Sequence, residues 1–219
     1  FHHQTSFYSA WSNLNRLLKQ RNAALAQNQP YSAIKIWDVE LAKLAHQVSQ
    51  WRAEYAEALR PEIEQTCQLF LPELEINVSF HQGWEKNADY YEILQQNFER
   101  DRALNYTFSG PQKADFRFKA QGLPVEDVLS RGQLKLLMCV LRLAQGEHLM
   151  KEKQRHCIFL IDDFASELDQ YKRALLAERL QQSGSQVFVT AITQRQLKEM
   201  QVENKKMFSV HNGIINALN

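Results

Sequence analysis

Two adjacent carboxylates, Asp162 and Asp163, close the apolar run Cys157-Ile158-Phe159-Leu160-Ile161. A short apolar run of this kind reads as a buried strand. In open α/β sheets the carboxyl ends of strands line the ligand crevice. A carboxylate there holds magnesium directly or through water, and the metal bridges the terminal phosphates of a nucleotide. Asp162 is the metal candidate. Asp163 faces away from its neighbour and has the chemistry to orient or deprotonate an attacking water. A strand followed by an acidic helix cap produces the same letters, so the pattern alone leaves both readings open.

A second group, Leu129-Ser130-Arg131-Gly132-Gln133, stands before a long amphipathic segment. Ser130 suits a helix N-cap, and Gly132 allows close backbone approach to a ligand. Amide groups at a helix start favour an anion such as phosphate, and Arg131 adds charge. A capped helix without a ligand is the alternative. The stripe behind it, Leu134, Leu137, Met138, Leu141 and Ala144, is expected to be core. A third group, Ser166-Glu167-Leu168-Asp169, follows the acid pair.

The elements that must position these groups follow from periodicity. Trp37, Leu41, Leu44, Ala45, Val48, Trp51, Tyr55 and Leu59 recur in steps of three and four, which predicts a helix with one buried face. Asp38 is its expected N-cap, and Pro61 is expected to break or restart it before Ile63, Cys67 and Phe70. Helices are predicted over Trp11 to Ala26 and Tyr90 to Leu104. Alternation of Leu74, Ile76, Val78 and Phe80 predicts a strand. Tyr106-Thr107-Phe108 and the alternating Phe116, Phe118 and Ala120 predict a hairpin-like pair about Ser109-Gly110-Pro111. Beyond lie a helix from Gly132 to Met150, a basic linker from Lys151 to Arg155, and buried strands over Cys157 to Ile161 and Gln186 to Ile192. A helix over Gln170 to Gln182 and a hairpin about Asn212-Gly213 complete an α/β last third.

LSRGQ, CIFLIDD and SELD stand in the order of the signature, Walker B and D-loop motifs of the ABC-type ATPase superfamily. The longer strings LSRGQLKLLMCVLRLAQGEHLM and IFLIDDFASELD resemble the bacterial RecF family. So do WRAEY at Trp51 to Tyr55, NFERDR at Asn97 to Arg102 and GPQKADFRF at Gly110 to Phe118, and the likeness covers essentially the whole chain. The resemblance implies an α/β fold: part of an ABC-type ATPase lobe, a P-loop-containing fold without its N-terminal part, joined to an α-helical arm subdomain. It assigns 1–150 to the mainly helical arm, ending in the signature-motif helix, and 151–219 to the C-terminal part of the lobe. It further implies ATP with Mg2+ sandwiched in an ATP-dependent homodimer. Ser130, Gly132 and Gln133, with Arg131 beside them, would contact the γ-phosphate of nucleotide held on a second subunit. Asp162 would coordinate magnesium through water, Asp163 would be the catalytic base, and Asp169 would touch the partner. The implied role is cytoplasmic DNA gap repair and the SOS response, with RecA loaded at single-strand gaps alongside RecO and RecR, and slow ATP hydrolysis as the switch.

Two departures from that pattern matter. The Walker A loop, G-x-x-x-x-G-K-[ST], is absent, and the chain opens on Phe1-His2-His3 without Met. The chain is therefore expected to be a piece of a longer protein, and inactive as an ATPase by itself. Where many ABC enzymes carry a switch histidine, this sequence has Val187 to Ile192 without one, and Thr190 or Thr193 is the polar residue nearby.

The 219 residues are 44% hydrophobic and 23% charged, a globular balance. A net charge of +1 means that contacts with single- or double-stranded DNA must come from local patches. Three basic groups are candidates: Arg16, Lys19 and Arg21; Arg100 and Arg102; and Lys113, Arg117 and Lys119. Each reads as a solvated face when taken alone. Cys67, Cys139 and Cys157 lack metal-ligand spacing and are expected to be buried thiols in a reducing compartment. The histidines show no ligand spacing, and the tryptophans read as core. No apolar run approaches a membrane span, and no signal-peptide pattern is present. A transporter ATPase subunit and a non-catalytic DNA- or protein-binding module are the rival readings.

Overall fold

Helix α1 (Phe7–Ala26) packs along α2 (Tyr31–Phe70), in a computed structural model that describes residues 4–163, 168–198, 200 and 204–218. Leu14, Leu18, Ala24 and Leu25 of α1 meet Ile34, Leu41, Ala42, Ala45 and Val48 of α2 in two apolar clusters. The break expected at Pro61 does not occur: the proline lies inside the forty-residue α2. Leu59 and Ile63 on either side are buried, and that packing offsets a proline penalty of about 3 kcal/mol. Asp38 is not a cap either. It lies inside α2 and is fully buried, and Pro30 holds the N-cap position.

Strand β1 (Ile76–His81) follows, then α3 (Tyr90–Gln96) and α4 (Phe98–Leu104). The single helix predicted over Tyr90 to Leu104 is divided at Asn97. Asp89 caps α3, its Oδ1 accepting from the Tyr91 N–H at 2.8 Å. The segment from Tyr106 to Phe108 is not a strand. Instead β2 (Asp115–Ala120) runs antiparallel to β1, with Phe116 opposite Phe80, and β3 (Leu123–Pro124) completes a small sheet on the other side of β2. The rings of Trp84 and Tyr90 pack at 4.7 Å between centroids, tilted by 34°, in the apolar cluster of α1 and α2. The Gly110 N–H donates to Gly83 O at 2.9 Å. The approach requires glycine twice, since a Cβ on Gly83 would fall 1.9 Å from Gly110 O and one on Gly110 2.0 Å from the Tyr90 hydroxyl.

After the short α5 (Val125–Val128) come α6 (Arg131–Lys153), β4 (Ile158–Ile161), α7 (Gln170–Gln182) and β5 (Gln186–Val189), and finally β6 (Met207–His211) and β7 (Ile214–Leu218). Two compact units divide between Ser130 and Arg131, so α6 falls in the second. Strands β4 and β5 pair in parallel, and α7 supplies the crossover that such a pair needs. Gly146 lets α6 approach β4: a Cβ there would lie 2.7 Å from Phe159 Cζ. Arg179 of α7 reaches Glu147 of α6 at 2.6 Å. Strands β6 and β7 form the predicted hairpin, and positive φ at both Asn212 and Gly213 gives the tight turn its backbone.

Several expectations need correction in this second unit. Strands β4 and β5 are not buried but alternate, with Ile158 at 63% and Leu160 at 77% exposure. The buried stripe of α6 is Leu136, Leu137, Val140, Leu143 and Ala144, whereas Met138 is exposed and Leu134 and Leu141 are half-buried. The helix also continues through Lys153, shortening the linker. Of the cysteines, only Cys67 is buried, and burial pushes its thiol up to about 12, whereas Cys139 and Cys157 are half-buried. No helix among the described residues is long and apolar enough to cross a membrane.

Candidate functional site

The acid pair emerges at the carboxyl end of β4, beside the end of β5. Ile161 pairs with Val189, and the next step of the ladder is the Thr190 N–H donating to Ile161 O at 3.0 Å. The Thr190 hydroxyl is therefore delivered between the two aspartates. It donates to Asp162 Oδ1 at 2.5 Å and accepts from the Asp163 N–H at 2.9 Å. Asp162 is exposed and Asp163 half-buried. Asp163 has φ 50°, the left-handed region that Asp enters more readily than most non-glycine residues, and the bond from its N–H to Thr190 holds it there.

Among the described residues no cluster of three or more His, Cys, Asp or Glu side chains is placed to hold a metal by itself. One exposed carboxylate at a strand end, backed by a hydroxyl, fits a different demand. Magnesium keeps several waters and binds through one or two carboxylates together with substrate phosphates. The donor set thus suits a metal that arrives on a nucleotide.

Ser130 stands immediately before α6 and is exposed, Arg131 is exposed, and Gly132 and Gln133 are half-buried in the first turn. Leu168 is buried, and Asp169 caps α7, its Oδ1 accepting from the Lys172 N–H at 2.8 Å. Ser166 and Glu167 of the SELD string lie outside the described residues.

The basic groups divide. Arg16 and Lys19 are exposed on α1. Arg100 is exposed and its guanidinium lies 3.4 Å from the Phe108 ring centroid, while Arg102 pairs with Glu99. Lys113 is exposed, and Arg117 and Lys119 share the outward face of β2. Arg21 is a correction: it cannot track phosphate, because it is fully buried. Its Nε donates to Asp38 Oδ1 at 2.6 Å, and its Nη1 donates to Asp101 Oδ2 at 2.7 Å and to Thr107 Oγ1 at 2.8 Å.

This buried cluster went unrecognised in the sequence, yet a signal was there. Leu14, Leu18, Arg21 and Leu25 form one stripe, as do Ile34, Asp38, Leu41 and Ala45, and Leu94, Phe98 and Asp101. A charge standing on an apolar stripe is buried with its helix face, and buried charges need partners. The cluster holds one cation against two carboxylates. Burial pushes the Asp38 carboxyl up, outweighing the pull of Arg21. Burial alone would lower the Arg21 guanidinium, but the charges of Asp38 and then Asp101 overcome it and raise it. Parts of the remaining family-like strings are also structural. Asp101 of NFERDR accepts from the Phe108 N–H at 2.9 Å, and Arg52 of WRAEY donates to the Pro111 carbonyl of GPQKADFRF at 2.7 Å.

Comparison with known proteins gives a consistent set of likenesses. The family model described as "RecF/RecN/SMC N terminal domain" matches residues 13–216. The chain is 99% identical over 219 residues to the DNA replication and repair protein RecF of Haemophilus influenzae, covering 100% of this chain and 61% of that protein. It is 77% identical over 218 residues to the protein of the same name from Pasteurella multocida, again covering 61% of it. A solved structure described as the recombination mediator protein RecF with ATP in the RecFOR pathway superposes with a TM-score of 0.80 at 21% identity. It covers 99% of this chain and 59% of that one, a likeness of fold. The chain thus spans about three-fifths of the length of the relatives it matches.

Proposed function

Because the chain belongs to the RecF/RecN/SMC N-terminal domain family, we propose that it is the larger part of a RecF-type, ATP-switched DNA-repair protein. The observation that carries this reading is the acid pair at the β4 edge, with its outward carboxylate exposed and its backbone held by Thr190. The exposed apolar residues of β4 and β5 fit the same reading, as faces of an ATPase lobe completed by the length the relatives have and this chain lacks.

Asp162 would hold Mg2+ through water, and Asp163 would take the proton of an attacking water or orient it. The metal, when bound, neutralises charge on the terminal phosphates. Ser130, Arg131, Gly132 and Gln133 would meet the γ-phosphate of ATP held on a second subunit, and Asp169 would lie at that contact. Nucleotide then favours the dimer by differential contact with the γ-phosphate, and hydrolysis releases it. Exposed Arg16, Lys19, Arg100, Arg117, Lys113 and Lys119, with Arg102 beside them, are the residues for phosphate contact with single- or double-stranded DNA. RecR and RecO are the proposed protein partners in the cytoplasm, and loading of RecA at gaps with the SOS response is the proposed process.

The test uses the longer parent protein. Asp163→Asn should abolish ATP hydrolysis and leave nucleotide binding intact, measured by phosphate release and by binding of a fluorescent ATP analogue. Unchanged turnover would favour a non-catalytic module. DNA affinity that falls steeply with salt separates the reading from a transporter subunit, which should bind no DNA.

A further inference from the structure

One hydroxyl both donates to and accepts from the acid pair. Thr190 Oγ1 has a single proton, and it goes to Asp162 Oδ1. One of its two lone pairs receives the Asp163 N–H. The side chain arrives there because the backbone of Thr190 is locked to Ile161 O by the extension of the β4–β5 ladder. Thr193, the other hydroxyl nearby, is occupied elsewhere: it forms a capping box with Gln196 at the start of the short helical turn over Gln194–Leu197.

We propose that Thr190 is the positioning residue of the acid pair, holding Asp162 Oδ1 so that the other carboxylate oxygen faces the nucleotide-borne metal, and pinning the left-handed backbone that aims Asp163. It acts through the two aspartates and not by contact with phosphate. A carboxylate with one oxygen committed to a fixed donor has fewer rotamers to lose when a metal binds. Hydrogen-bonding partners of a metal's direct ligands typically govern its affinity by about 10–100-fold, and the low end is expected where the carboxylate acts through water. The same hydroxyl links the two acids, so loss of one bond loosens both. The inference rests on the reading of Asp162 as the metal carboxylate.

The experiment compares Thr190→Val, which keeps the shape and removes the hydroxyl, with Thr190→Ser, which keeps the hydroxyl, in the full-length protein. Mn2+ binding in the presence of ADP is followed by electron paramagnetic resonance, and kcat and KM for ATP are measured in parallel. Thr190→Val should weaken Mn2+ binding about tenfold and lower kcat by a similar factor with KM little changed, while Thr190→Ser stays within about twofold of the parent on each. Thr190→Ala removes the same hydroxyl and serves if the valine variant does not fold. Asp162→Asn is the reference. If Asp162→Asn loses Mn2+ while the variants lacking the hydroxyl bind it as the parent does, the inference falls and the site reading stands. If Asp162→Asn itself retains Mn2+ affinity, the site reading falls, and the inference with it.

Discussion

The two compact units fix their elements by different means. Residues 1–130 bury three charged side chains completely, Arg21, Asp38 and Asp101, inside a helical core. Residues 131–219 leave Ile158, Leu160 and Phe188 in the open on short strands, with Phe208, Val210, Ile214 and Ile215 exposed on a separate hairpin. The contrast teaches where specificity is stored in each. In the first unit, one cation shared by two carboxylates fixes the relative placement of α1, α2 and α4, since any slip would strand a charge away from water. In the second, backbone pairing and the Thr190 bridge fix the strand ends, and the strand faces contribute little until something covers them.

The contrast can be broken most forcefully at Arg21. Arg21→Met leaves two buried carboxylates without their cation and should cost the first unit about 3–5 kcal/mol. Trp11, Trp37, Trp51 and Trp84 all lie in that unit, so urea unfolding followed by tryptophan fluorescence reports it selectively. A loss below about 1 kcal/mol, the level of an exposed pair, would mean that the cluster does not organise the core.

A smaller and pH-dependent effect sharpens the same point. The folded-state pKa of Asp38 lies above its ordinary 3.8 because burial disfavours its charged form. The stability this contributes is present below 3.8 and is lost as pH rises through the raised folded value. Asp38→Asn cannot titrate, so the unfolding free energy should shift in the variant's favour, relative to the parent, between acid and neutral pH. Parallel curves for the two proteins would show that Asp38 carries no excess buried charge.

The smallest effect belongs to the second unit. Leu160→Thr on the open face of β4 should change thermal stability by no more than about 0.5 kcal/mol in this chain. A loss above 2 kcal/mol, read by circular dichroism in the strand region, would mean that the face is covered and that the contrast between the units is false.

Much of the fold was legible because its signals are local. Helix α7 matches its predicted bounds, and the Asn212-Gly213 turn carries the backbone that its two residues prefer. The acid pair was legible as well, as an abrupt change from apolar to acidic residues. What sequence could not display was pairing across distance. Asp38 has the local signature of a cap, yet its partner is seventeen residues upstream on another helix. Pro61 has the local signature of a break, yet the packing of Leu59 and Ile63 overrides it. The hydroxyl that joins Asp162 to Asp163 comes from a different strand, and only the parallel register of β4 and β5 brings it there.

The uninterrupted α2 has a mechanical consequence. Its forty residues form a rod about 60 Å long. Pro61 has no N–H, so the carbonyl of Glu57 loses its donor in the helical ladder. Helices bend most readily where a rung of that ladder is missing, as at proline. The turn around Pro61 is therefore where bending the rod costs least.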